Sequence, residues 1–208
     1  MARSTYRTAK TVKLPSFDPT PSAKAGVALL KAAGVKFAIA GRVAVWTYVP
    51  PERQAYTKDV DFAVAHRDLT LIAKAAADAG RRLNPLPIGG WGLRERGIAV
   101  DFIDRHPEFT SLFDAAVEAA QRSRRRRRVG AASVPVVPKE YLIAMKIATL
   151  ETKDEQDAES LILTVPDRGY APLRALVRRH LGPLGAMRLD AIARRVGHPG
   201  PGRKPLYS

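Results

Sequence analysis

Cysteine is absent from all 208 residues. That excludes disulfides, thiolate metal sites and a cysteine nucleophile together. Long apolar runs are absent as well. No stretch reaches the roughly eighteen apolar residues that a membrane-spanning helix requires, so no membrane association is expected. The basic start "MARSTYRTAKTVKLPSFDPT" has no apolar segment of the kind a secretory signal needs. A cytoplasmic protein is the expectation. Histidine is scarce, and His66, His106, His180 and His198 show no metal-ligand spacing. Acidic residues are also in short supply, with 20 Asp+Glu against 35 Lys+Arg and a formal net charge of +15.

That surplus creates a field favouring polyanions such as RNA, DNA or nucleotides, though a need for solubility would account for it too. It is unevenly spread. "QRSRRRRRVG" holds six arginines, Arg122, Arg124, Arg125, Arg126, Arg127 and Arg128. From Arg168 onward there are nine Arg/Lys and one acid, Asp190. Arginine runs are usually solvated faces; beside a catalytic cleft, this one would suit a nucleic-acid backbone.

The apolar fraction of 46% fits one sizeable core. Residues 1–20 read as a flexible basic arm and 197–208 as a Pro/Gly-rich disordered tail. "PSAKAGVALLKAAG" has helical spacing and stops at Gly34. "VKFAIA" predicts a strand turning at Gly41, with a short helix in "GRVAVWTY". "TKDVDFAVA" predicts a second strand. "HRDLTLIAKAAADAGRR" predicts a helix with Asp68 as N-cap. "LNPLPIGGWGLRERGIAVDFID" predicts two strands around a Gly-rich turn. A helix with Pro107 early in it follows, and then the arginine run leads into the extended segment "VGAASVPVVP". "KEYLIAMKIATLE" and "KDEQDAESLILTV" predict helices. Two basic helices split by "GPLG" complete the chain. Strands alternating with helices, then helices alone, predict an α/β part (21–137) and a helical C-terminal part (138–196).

Alternation along a strand puts Asp59 and Asp61 on one face, with Cβ atoms roughly 7 Å apart. Val60, Phe62 and Val64 then face the core. "IAVDFID" has the same texture and offers Asp101. Three converging carboxylates repel one another, and a hard cation such as Mg²⁺ relieves that repulsion and suits phosphorylated substrates. A D-x-D pair alone also fits a solvent face, paired with Lys58 or arginines. Gly41 between strand and helix suits close approach of a phosphate, or simply a turn.

In order, Gly41, "TKDVDF" and "VDFID" resemble the DNA-polymerase-β-type nucleotidyltransferase superfamily. "VPVVPKEYLIAMKIATLETKDEQDAESL" resembles its minimal branch, which includes abortive-infection-type toxins. The resemblance covers roughly residues 34 to 163. It implies a mixed β-sheet packed with helices and a helical C-terminal part. It implies Mg²⁺ or Mn²⁺ held by Asp59, Asp61 and Asp101, with Asp101 as base. It places an NTP substrate against Gly41, Arg42, Thr57, Lys146, Asp154 and Asp157. Arg42 stands where the family usually has a second small residue, and Ala55 where its minimal branch commonly has arginine.

Transfer of an NMP to RNA such as tRNA, as a toxin or phage-defence component with a cognate antitoxin, is the resulting expectation. A catalytically degenerate binding protein, antitoxin-like, is an alternative. A transferase acting on a protein or small molecule is another; the arginine excess disfavours an aminoglycoside-type acceptor. By itself Lys146 also reads as a lysine snorkelling from an apolar helix face, and Lys153/Asp157 as a surface i,i+4 pair. Trp46 and Trp91 read as core or pocket wall.

Overall fold

The computed structural model describes residues 18–95, 97–149 and 151–198. Most of the expected arm and tail lies outside them. Helix α1 (Thr20–Ala32) ends where Gly34 takes a φ of +67°. The chain then enters β1 (Phe37–Ile39), α2 (Gly41–Val45) and a 3₁₀ turn at Pro51–Arg53. Strand β2 (Val60–Val64) is shorter than the expected 57–65, because Asp59 lies in the bend that leads into it. Helix α3 (Leu69–Asp78) follows, with Asp68 at its N-cap position but making no side-chain cap hydrogen bond.

The segment expected to form two strands forms three: β3 (Leu83–Pro85), β4 (Trp91–Glu95) and β5 (Ile98–Ile103). The extra strand comes from Leu83–Pro85 pairing with β4 across the Gly89–Gly90 turn. Helix α4 (Thr110–Arg122) begins three residues after Pro107, which sits in the preceding turn. The arginine run is not a lead-in segment. Its second half, Arg126, Arg127 and Arg128, is in strand β6 (Arg126–Val129), hairpin-paired with β7 (Ala132–Pro135).

The sheet order is β1-β2-β5-β4-β3, with β2 and β5 parallel and the other pairs antiparallel. Val60, Phe62, Val100 and Phe102 are fully buried. The Phe62 and Phe102 rings stack 6.2 Å apart. Gly26 of α1 lies so close to Phe62 that a Cβ there would sit 2.4 Å from the ring. This apolar face forces Asp61 and Asp101 onto the opposite one.

Helices α5 (Lys139–Ala148), α6 (Thr152–Ile162) and α7 (Asp167–Arg195) form the C-terminal part; α7 is broken at Gly182 (φ 70°, ψ −170°), within the expected "GPLG" split. One apolar cluster runs from the sheet through Leu142, Leu161, Leu173 and Leu189. The architecture is therefore the mixed α/β sheet with a helical C-terminal part that was expected, and the sheet has five strands. Among the described residues no helix is long and apolar enough to cross a membrane.

Candidate functional site

Register decides how the carboxylates meet. Asp61 of β2 lies directly opposite Asp101 of β5, and neighbouring strands run only about 4.8 Å apart. Asp59, one residue ahead of β2, has its carboxylate fixed by the Thr57 hydroxyl, which donates to Oδ1 at 2.9 Å. Burial raises the pKa of Asp61 most, and the charges of Asp59, Asp101 and Asp154 add to the rise. Lys146 opposes them, and the result is a carboxyl pushed up to about 7. Burial likewise raises Asp101 despite the Arg94 guanidinium beside it.

Gly41 is required here. Its φ is +56°, and a Cβ would sit 1.6 Å from Asp61 Oδ2. The backbone of the β1–α2 corner thus packs directly onto the carboxylate. Backbone and sheet join at the same point, where the Ala40 N–H donates to the Asp61 carbonyl at 2.8 Å.

Lys146 does not snorkel. It is 9% exposed, with Nζ 2.5 Å from Asp154 Oδ1 and 2.9 Å from Asp157 Oδ2. Burial alone would depress its pKa; Asp157 and Asp154 more than reverse that and keep the ammonium charged. Burial would raise Asp154, but Lys146 and the Thr149 hydroxyl hold it below the usual carboxylate range. Asp157 is therefore not Lys153's surface partner; Lys153 pairs with Glu151 at 3.0 Å.

Arg42 closes this network. Its Nε donates to Asp157 at 3.2 Å, Nη1 to the Tyr56 carbonyl at 2.7 Å and Nη2 to the Lys153 carbonyl at 3.2 Å. It ties α2 to α6 and to the loop before Asp59. The end of α5 is held from far away in sequence, because Arg188 of α7 donates to the Ile147 carbonyl at 2.8 Å and also to that of Thr149.

These side chains line one cleft of about 330 Å³. Gly41, Arg42, Thr57, Asp59, Asp61, Asp101, Lys146 and Asp154 all reach it, while Asp157 supports them from behind. Sequence reasoning missed Arg94, whose Nη2 stands 2.6 Å from Asp101 Oδ1 and whose Nη1 donates to the Val100 carbonyl at 2.8 Å. It also missed Arg105 on the cleft wall; Lys58, expected as a possible partner of the D-x-D carboxylates, lines the same wall and forms no ion pair with them. A cation directly before the D-x-D pair, as Lys58 is, or directly after "VDFID", as Arg105 is, was the available signal.

A divalent cation fits part of this set. Among the described residues no three His, Asp or Glu side chains stand ready as a metal cage. Mg²⁺, however, commonly binds one or two carboxylates, keeps several waters and takes substrate phosphates as its other ligands. Asp59 and Asp61 meet that need, and a cation would offset the burial and the neighbouring carboxylate charges that raise Asp61. Asp101 is shared with Arg94.

None of the six run arginines lines the cleft. Arg122 is in α4, 3.9 Å from Glu118. Arg125 lies over the Tyr48 ring and Arg127 over the Trp46 ring, at 5.5 and 5.9 Å. Arg124, Arg126 and Arg128 are exposed. In α7, Arg174 pairs with Asp190 at 2.9 Å and Arg195 with Glu155 and Glu159. Part of the C-terminal basic surplus is therefore internal wiring. Trp46 and Trp91 are half-buried against the core, as expected.

No family model matches the chain, and no curated protein does. Among solved structures it is similar to a nucleotidyltransferase-like protein from Paracoccidioides brasiliensis, at 17% identity over 85% of this chain and 91% of that one (TM-score 0.48). It is also similar to the antibiotic-resistance factor ANT(2'')-Ia, at 14% identity over 86% and 92% (TM-score 0.46). In that factor's complex with adenylyl-2''-tobramycin the values are 14%, 81% and 93%, with a TM-score of 0.40.

Proposed function

We propose that the chain is a Mg²⁺-dependent nucleotidyltransferase that moves an NMP from an NTP to RNA, such as tRNA, as a toxin or phage-defence component with a cognate partner protein. The observation that carries this reading is the register pairing of Asp61 with Asp101, with Asp59 anchored beside them, over a cleft backed by Lys146. In the reaction an acceptor hydroxyl oxygen attacks the α-phosphorus. The bond from that phosphorus to the oxygen bridging the β-phosphate breaks, and pyrophosphate leaves with the electron pair. The hydroxyl proton passes to the Asp101 carboxylate. A cation held by Asp59 and Asp61 would neutralise triphosphate charge. Gly41 lets the β1–α2 corner close onto the Asp61 carboxylate at the cleft, and the Lys146 ammonium adds a fixed positive charge to the floor.

The RNA acceptor rests on the β6–β7 hairpin. Arg126 and Arg128 project from one strand face, spaced roughly 7 Å apart, and backbone contacts of this kind are salt-dependent. Purified protein with Mg²⁺, labelled NTPs and total tRNA should transfer label, and Asp59→Ala should abolish it. Absence of transfer from every NTP to RNA or protein would count against the reading.

A second reading, a degenerate fold that only binds nucleic acid or a partner, is favoured by Arg94 on Asp101. It requires salt-sensitive RNA binding that survives Asp59→Ala, with no transfer by the unsubstituted protein.

A further inference from the structure

Arg105 lies two residues past the end of β5, the strand that carries Asp101, and both its chain neighbours make side-chain contacts within the protein. Asp104 is 1% exposed and its Oδ2 lies 2.6 Å from His66 Nδ1. His106 stacks on the His66 ring, centroids 3.7 Å apart and planes 14° apart, and its Nδ1 lies 3.1 Å from the Thr110 hydroxyl. The Arg105 carbonyl accepts the Phe109 N–H at 2.9 Å. Gly89 (φ +92°) gives Asp104 its room, since a Cβ there would sit 2.6 Å from Asp104 Oδ1.

Arg105 itself has a φ of +53°, the left-handed region that a bulky residue rarely adopts. Such a conformation persists only when the surroundings over-determine it. Here the contacts on both sides hold the turn, and Arg105 lines the cleft.

The cleft's other cations are differently placed. Arg42 and Lys146 are committed to Asp157 and Asp154, and Lys153 to Glu151. Lys58 is exposed on a flexible stem. Arg105 is half-buried, has fixed neighbours and meets no acceptor among the described residues. A guanidinium is the side chain best shaped for two-point contact with phosphate oxygens.

We propose that Arg105 is a phosphate-binding residue of the cleft, presented to the substrate by the pair formed between buried Asp104 and the partly exposed His66. The location of the site rests on the nucleotidyltransferase reading; the assignment of Arg105 does not depend on transfer occurring. The phosphate belongs either to the nucleotide or to the acceptor.

Titration calorimetry on the full chain with Mg²⁺ separates these sources, using tripolyphosphate as one probe and a 5′-phosphorylated RNA oligonucleotide, against its 5′-hydroxyl form, as the other. Arg105→Gln should weaken one probe by about tenfold or more, the effect of losing a charge-assisted contact. Loss confined to tripolyphosphate assigns the nucleotide, and loss of the 5′-phosphate preference assigns the acceptor. His66→Ala should reproduce the loss by freeing Asp104. His66→Asn, which keeps an N–H for Asp104, should restore binding, a rescue that general loosening of the turn would not give. Lys74→Gln, on an exposed ion pair with Asp78, should change nothing.

Binding of both probes by Arg105→Gln within twofold of the unsubstituted chain overturns the proposal, as does an unsubstituted chain that binds neither. Arg105-dependent binding without label transfer would leave this proposal standing and remove the nucleotidyltransferase reading. Label transfer with Arg105→Gln binding unchanged would do the reverse.

Discussion

Replacing Asp61 by asparagine should stabilise the metal-free protein while destroying its site. Burial and the charges of Asp59 and Asp101 push this carboxyl from 3.8 to about 7. The folded state therefore holds a proton that the unfolded state has already released between those values. Stability falls as pH rises through that window, and the penalty is complete above about pH 7. The full displacement corresponds to about 4 kcal/mol at ~1.4 kcal/mol per tenfold. Water reaches part of the side chain, which reduces the expected size to about 2 kcal/mol.

Asparagine keeps the shape beside Gly41 and carries no charge. At pH 8 without divalent cation, Asp61→Asn should melt about 4–8 °C above the unsubstituted chain. At pH 5 the gap should shrink to less than half, because only the lower part of the window between 3.8 and about 7 has then been crossed. Added Mg²⁺ should stabilise the unsubstituted chain and not the variant. Thermal unfolding followed by circular dichroism at both pH values reads all of this. A variant less stable at pH 8, or a gap independent of pH, would refute the electrostatic reasoning.

Two further outcomes follow from the same site. Lys146→Met leaves Asp154 and Asp157 buried with their shared cation gone, and should cost about 3–5 kcal/mol in denaturant unfolding; a loss under about 1 kcal/mol would mean that water already screens the pair. Gly41→Ala puts a Cβ into the Asp61 carboxylate from a left-handed backbone, so a loss of at least about 2 kcal/mol, with nucleotide transfer abolished, is expected; unchanged melting would show that the corner has room to move.

Much of the site was readable because its signals are local. "VDFAV" and "IAVDFI" state strand, buried face and acid together, since a period of two puts every second residue on one side. Gly41 was readable for a related reason, as a glycine between a short apolar strand and a helix. The role of Arg42 was not. Its partners are Asp157, Lys153 and Tyr56, and only the packing of α2 against α6 brings them within reach. The same holds for Lys146, whose helix reads as an apolar stripe with one lysine until α6 places Asp154 and Asp157 beneath it. The arginine run shows the opposite failure. Composition located the charge, but only its pairing as β6 with β7 separated Arg125 and Arg127, packed over Tyr48 and Trp46, from Arg126 and Arg128.

The sequence by itself determined the alternation of apolar and acidic residues, the acid-bearing strands β2 and β5 and most of the helices, and the excess of positive charge. Each depends on neighbours a few positions apart, where periodicity and turn chemistry act. Only the tertiary structure decided that Asp61 faces Asp101, that Arg94 shares the latter, that Arg188 closes the end of α5 and that Arg105 lines the same cleft as the carboxylates. Those outcomes depend on strand register and on contacts between residues tens of positions apart, which no local pattern encodes.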